Sequence, residues 1–243
     1  EGQRFNITGV SVMALTNNTV VALDLDRNGS FEIITNINEG QAYNITNFVL
    51  AGSVITSSAP VQVHLSAGQR NSNFQYDWYT IAPVANWGSE YYNPVGSTRA
   101  DARADVILFN PNTNTINVIV EYSDGEELFT EVREILAGGH SYQSNTFLNS
   151  AQRYYTTNGQ PFYGVGAVDA ATGSGTTWDW GFSLVASTEL TPLFLVGWAP
   201  GRDPLSSTGL GTNVSPVWAT ATRPTTLYVD YDGDGGPLTN ECG

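Results

Sequence analysis

Val214–Glu241 reads VSPVWATATRPTTLYVDYDGDGGPLTNE: an apolar stretch, a turn, a second apolar stretch, then alternating aspartates closed by glycine. Val10–Gly29, VSVMALTNNTVVALDLDRNG, follows the same plan. With one residue skipped in the turn, Val12 falls on Val217, Thr19 on Thr225, Leu23 on Val229, and Asp24 and Asp26 on Asp230 and Asp232. A third copy, Val106–Gly125 (VILFNPNTNTINVIVEYSDG), keeps both apolar stretches and retains only Asp124-Gly125 of the acidic run. Self-similarity at a fixed period marks tandem modules, here of an ordinary domain size of about 100 residues. The expected division is module 1 over residues 1–103, module 2 over 104–213, and a C-terminal hairpin over 214–243 that opens a third module.

Helical periodicity is absent. Short runs rich in Val, Ile, Thr, Tyr and Phe alternate with clusters of Gly, Asn, Pro and Asp, which is the pattern of an antiparallel sandwich. The expected fold is therefore all-β, with two tandem antiparallel β-sandwich modules. Val10–Leu15 and Val20–Leu25 read as a first hairpin, followed by strands at Phe31–Ile37, Tyr43–Leu50, Ser53–Thr56 and Val61–Ser66. Module 2 repeats the order with Val106–Phe109, Ile116–Tyr122 and Leu128–Leu136, and its Gly138-Gly139 turn falls on Glu39-Gly40. Phe182–Ser187 and Leu193–Trp198 are read as the pair that closes it. Two segments then lack partners in the repeat and are expected to be insertions, 73–103 and 154–180. Their aromatics, Trp78, Trp87, Tyr91, Tyr92, Trp178 and Trp180, either stack on a ligand or plug the ends of the sandwiches.

Of 243 residues only 13% are charged, about half the usual share, with Asn, Thr, Ser and Gly in their place. All nine basic residues are arginines, and 23 acids give a formal charge of −14. That balance excludes nucleic acid and anionic membranes as partners and suits a chain that stays dissolved in salt or collects divalent cations. No run approaches the roughly 18 apolar residues of a membrane span. The single cysteine, Cys242, has no internal partner. Asn6, Asn17, Asn44 and Asn213 head Asn-x-Ser/Thr acceptors, as does Asn28, which suits a secreted chain.

The stretches Ala59-Pro60-Val61-Gln62-Val63-His64-Leu65, Tyr79-Thr80-Ile81-Ala82-Pro83-Val84 and Trp87-Gly88-Ser89-Glu90-Tyr91 resemble the IgGFc-binding-type N-terminal domain. Tyr228–Gly235 is similar to the joints of the large microbial surface proteins that carry it. The resemblance implies an extracellular, modular chain with an adhesive or structural role. It supplies no catalytic residues.

The tail matches D-x-D-x-D-G-x5-E in full through Asp230, Asp232, Asp234, Gly235 and Glu241. Alternate side chains at that spacing converge on one centre, glycine permits the reversal, and the last glutamate adds two oxygens, so the expected ion is Ca2+. Asp24, Asp26 and Asn28 open a second such loop, with Thr35 at the closing position and Glu32 as the substitute ligand. Nothing in the sequence assembles catalytic machinery: His64 alternates with apolar neighbours and His140 follows a turn glycine. The expectation is a non-enzymatic surface protein with calcium-stiffened joints. Strand Thr225, Thr226, Leu227, Tyr228, Val229 either pairs within its own chain or adds to a sheet of the next copy in a head-to-tail filament. Other surface proteins or glycans are the alternative partners, the latter through a monomeric lectin-like use of the aromatics.

Overall fold

In β1 (Ile7–Ala14), Val10, Val12 and Ala14 are buried, and in β2 (Thr19–Asp24) so are Thr19, Val21 and Leu23. Each strand thus offers one apolar row, and each buried side chain of this size contributes about 1.5–3 kcal/mol. Laying the rows face to face buries both at once. The chain does so by crossing from one sheet to the other at Thr16–Thr19, where the Thr19 hydroxyl donates to the Thr16 carbonyl at 2.8 Å. The expected first hairpin is therefore an arch: β1 and β2 lie in different sheets and do not pair.

A computed structural model describes residues 7–46, 49–68, 76–96, 102–124, 126–145, 150–170, 180–194 and 217–229. Module 1 continues with β3 (Ile33–Ile37), β4 (Ala42–Thr46), β5 (Val54–Ser57), β6 (Val61–Gly68) and β7 (Tyr76–Thr80). Its sheets have the orders β4-β1-β6-β7 and β3-β2-β5, all antiparallel. Between them lies a core of Val10, Val12, Ala14, Val21, Leu23 and Ile37.

Beyond a 3-10 turn at Val84–Asn86 come β8 (Glu90–Asn93), β9 (Ala102–Phe109), β10 (Ile116–Ser123), β11 (Leu128–Ile135), β12 (His140–Asn145), β13 (Gln152–Tyr155), β14 (Tyr163–Ala170) and β15 (Trp180–Ser183). Their sheets run β12-β9-β14-β15 and β11-β10-β13-β8. Adding eight to every strand label of module 1 reproduces module 2, with β8 as an extra edge. The registers agree as well. Val10 faces Ile45 and Leu65, as Val106 faces Gln143 and Gly166, while Thr19 faces Ile37 as Ile116 faces Ile135. The matching turns before β4 and β12 each place a glycine at positive φ, Gly40 at 73° and Gly138 at 62°.

Two expectations change here. The strands that repeat β5, β6 and β7 are β13, β14 and β15; Phe182 and Ser183 belong to β15, the counterpart of β7, while the rest of Phe182–Ser187 and the described part of Leu193–Trp198 form no strand. Leu193 and Phe194 carry no strand and are 83% and 72% exposed, and residues 195–198 lie outside the described residues. The segments expected as unmatched insertions accordingly hold β7 and β8 in 73–103, and β14 with the start of β15 in 154–180. The spacing misled because the β13–β14 and β14–β15 connections are longer than their module 1 counterparts.

Residues 1–190 form one compact unit and 191–243 another. Within the first, β15 lies alongside β7, and the Ser183 hydroxyl donates to the Thr80 carbonyl at 2.6 Å, so the two sandwiches meet along their sheet edges. Within the second, 217–229 contains bends and no strand, with Val217, Leu227 and Tyr228 each at least 67% exposed. The strand expected over Thr225–Val229 is absent there. Its counterparts β2 and β10 are each held by two neighbours of their own module, and the described residues of 191–243 supply neither.

Candidate functional site

The Asp24–Glu32 loop leaves β2 at a buried carboxylate. Asp24 is 5% exposed and accepts from two backbone amides, Arg27 N at 2.7 Å on Oδ1 and Gly29 N at 2.9 Å on Oδ2. Asp26 accepts from the Asn28 amide at 3.1 Å and from Asn28 Nδ2 at 3.0 Å, and Asn28 Oδ1 accepts from Ser30 N. Glu32 closes the ring by accepting from Leu25 N at 2.6 Å. These bonds need tight reversals, which Gly29 (φ 84°) and Arg27 (φ 67°) provide by adopting left-handed backbone. Asp24, Asp26 and Glu32 are thereby gathered with one oxygen from each inside 4.8 Å. Asn28 stands among them. Glu32, three residues before the closing position of the motif at Thr35, is the acid that the fold brings in.

Among the described residues, the module 2 counterpart has no such ring. Asp124 Oδ1 accepts from the amides of Glu126 and Glu127 at 2.9 and 2.8 Å, and these bonds hold its carboxyl below the usual carboxylate range. One aspartate closes that loop alone. The tail residues Asp230, Asp232, Asp234 and Glu241 lie outside the described residues, as do Asn6 and Asn213. Asn17 and Asn44 are exposed, in the β1–β2 turn and on edge strand β4.

The acid ring also carries a side chain that the sequence reading overlooked. Arg27 reaches out of it to donate from Nη1 to Gly138 O of module 2 at 2.8 Å and to Ala51 O of module 1 at 3.0 Å. Its guanidinium stands 6.0 Å from the centre of the Phe109 ring. A Cβ at Gly52 would approach Arg27 Nε to 2.7 Å, and one at Gly138 would run into Nη2. Two glycines thus form the seat of one arginine. A single arginine inside an aspartate loop was the available signal. Arg27→Ala and Gly138→Ala are each expected to lower the unfolding free energy by about 1–2 kcal/mol, through lost hydrogen bonds in one and backbone strain with a blocked seat in the other. A double-mutant cycle by urea denaturation tests the seat: the pair should cost clearly less than the sum, and simple additivity would refute the contact.

The aromatics divide among three environments. Tyr91 is core, 1% exposed, accepting from Gly88 N at 2.9 Å and donating to Phe162 O at 2.6 Å. Trp87 lies at the seam of the modules, its ring stacked on Tyr163 at 4.8 Å and its Nε1 donating to Ala82 O. Together with Thr80, Asn86 and the residues after β15 they line a crevice of about 250 Å3. Trp78 projects from β7, 60% exposed, while Trp178 and the Trp180 side chain lie outside the described residues.

Tyr92 lies apart, on the outer face of sheet β11-β10-β13-β8, with Arg153 over its ring and over that of Tyr155. Arg153 is ion-paired to Glu90 at 2.6 Å and to Glu121 at 3.1 Å. Burial opposes ionisation of Glu90, but hydrogen bonds from Arg153, Ser187 and Tyr92 outweigh it and hold the carboxyl below its ordinary value of 4.5. A depressed carboxyl stabilises the fold above its unfolded value and loses that contribution as pH falls through the folded value. The urea midpoint should therefore decline below about pH 4.5 more steeply in the native chain than in Glu90→Gln; parallel curves would count against the network.

The family model described as IgGFc binding protein matches residues 2–194, which takes in both sandwiches and the seam between them. The chain belongs to the IgGFc-binding family, whose members are extracellular, surface-type proteins that bind other proteins. No curated protein matches it. Among the described residues, no helix is long and apolar enough to cross a membrane.

Proposed function

With membership of the IgGFc-binding family as the premise, we propose that this chain is a non-enzymatic structural or adhesive component of a cell surface whose joints are stiffened by calcium. The observation that carries the reading is the acid ring of Asp24, Asp26 and Glu32, from whose loop Arg27 reaches to module 2. Hard oxygens at this density suit Ca2+ over softer metals. An ion bound by Asp24, Asp26, Asn28 and Glu32 would lock the two left-handed residues and with them the direction of Arg27. The loop that binds calcium is then the loop that holds module 2. A second ion at Asp230, Asp232, Asp234 and Glu241 would do the same for the tail, and the tail would link copies head to tail.

Binding to the folded state alone stabilises it by about 2.7 kcal/mol at a calcium concentration a hundred times the dissociation constant. The test is thermal unfolding of the full chain with calcium and with chelator, beside Asp24→Asn/Asp26→Asn, Asp230→Asn/Asp232→Asn and the quadruple variant. A calcium-dependent rise in Tm that each pair reduces and the quadruple abolishes supports the reading. A rise that survives in the quadruple refutes it. Electron microscopy of the same samples tests assembly: chains that dissolve in chelator support the filament, and dispersed monomers in both conditions rule it out.

Glycan binding is the second reading, and the observation that favours it is the stacked Trp87–Tyr163 pair beside an open crevice. Capture on a glycan array that Trp87→Ala abolishes would replace the structural role with this one.

A further inference from the structure

We propose that the crevice at the seam of the two sandwiches is a docking site for one basic side chain, lysine or arginine, presented by a protein partner. The floor is formed by Tyr91, Leu184 and Ala186, which are 1%, 6% and 3% exposed, so it is buried and apolar. One wall is the stacked pair Trp87 and Tyr163. The mouth carries Val185, half exposed, with Asn86 and Glu189.

The polar atoms of the walls are already committed. Trp87 Nε1 donates to Ala82 O, the Tyr91 hydroxyl to Phe162 O, and the Tyr163 hydroxyl to Ser183 Oγ. These bonds fix the rings, so the crevice needs no rearrangement before it is filled. They also leave the walls with little to offer a ligand rich in hydroxyls. What remains free is at the mouth: among the described residues, the Glu189 carboxylate and the Asn86 carboxamide have no hydrogen-bond partner.

Apolar floor, aromatic wall and acid at the rim together select a ligand with an aliphatic body and a cationic end. The stems of lysine and arginine bury along apolar surface while the charged head stays at the water. Because Trp87 and Tyr163 are stacked on each other, a cation gains a further attraction only over a ring face turned away from the stack. A volume of about 250 Å3 lies below the roughly 300–1,000 Å3 of pockets that enclose whole small molecules, and it suits a single side chain. Charge points the same way: the chain carries −14, and a basic partner surface is drawn to it. None of these 243 residues is a lysine, so a lysine in this crevice would come from outside them.

The test is an NMR titration of the 15N-labelled full chain, following the indole signal of Trp87, with four probes at millimolar concentration. Nα-acetyl-lysine methylamide and its arginine counterpart are the cationic probes. The norleucine counterpart, which has the stem without the charge, and N-acetylglucosamine are the controls. Saturable shifts are expected from at least one cationic probe, with norleucine at least fivefold weaker. Glu189→Gln should weaken the cationic probe about fivefold, and Val185→Trp, which fills the mouth from an exposed position, should abolish the shifts without lowering Tm. Equal binding of norleucine, preferential binding of the sugar, or no shift with any probe would overturn the proposal. The preferred cation, lysine or arginine, identifies the side chain that the partner presents. None of these outcomes depends on calcium, so the proposal stands or falls separately from the calcium joint.

Discussion

Phe162→Ala is expected to lower the unfolding free energy by about 3–5 kcal/mol, the range for deleting a fully buried aromatic ring. Phe162 is 0% exposed and packs against Tyr91 with ring centres 4.9 Å apart, within a core that draws on both sheets of module 2. Its carbonyl also accepts the Tyr91 hydroxyl, and its amide donates to Gly88 O at 3.0 Å. The ring therefore supports the backbone that leads into the Trp87–Tyr163 crevice. Truncation leaves a cavity that the flanking strands cannot close without losing their register. The urea midpoint of module 2 should fall far more than with Phe162→Leu, which keeps most of the volume and is expected to cost about 1–1.5 kcal/mol. Equal losses would mean that the site collapses freely, contrary to the packing described.

Asp24→Ala carries the second large effect and acts on the acid ring. Its carboxylate is buried and accepts two amides across a loop held by left-handed residues. Hydrogen bonds to a charged group contribute about 1.5–3 kcal/mol each, and the orphaned amides regain water only in part. A loss of about 2–4 kcal/mol is expected in chelator. Asp26→Ala, at an exposed position whose partners are exposed, should stay within about 0.5 kcal/mol under the same conditions. The contrast separates two positions that the sequence merges: Asp24 holds the loop from a buried site, and Asp26 holds only Asn28, from an exposed one. If both variants were equally destabilised in chelator, Asp24 would have no special structural part.

The extra edge strand β8 shows how the fold and the candidate sites depend on each other. Glu90 and Tyr92 face outward on it and join the Arg153 network, while Tyr91 faces inward to the core. Strand alternation alone therefore sends neighbouring residues of one short segment to two different tasks. In the sequence, Trp87, Tyr91 and Tyr92 belong to one set of aromatics that either stack on a ligand or plug the sandwich ends. The structure brings only Trp87 and Tyr91 to the crevice and adds Tyr163 from β14, 72 positions beyond Tyr91 in the chain.

What the sequence determined by itself is the part governed by local period and by repetition. Alternating burial in Val10–Ala14 and Thr19–Asp24 dictated strands, and the recurrence of that pattern at Val106 dictated two modules of one topology. The Asp24, Asp26, Asn28 and Gly29 spacing set the acid ring, because its geometry is made by residues within nine positions of one another. Only the tertiary structure decided the rest. β1 and β2 went to opposite sheets because two apolar rows bury more surface face to face than side by side in one sheet. The third strand set of module 2 came from 152–183, since pairing is chosen by register and core volume over distances that spacing does not encode. Arg27 met Gly138 across 111 positions because the two module edges lie together, and that contact exists in no local stretch of sequence.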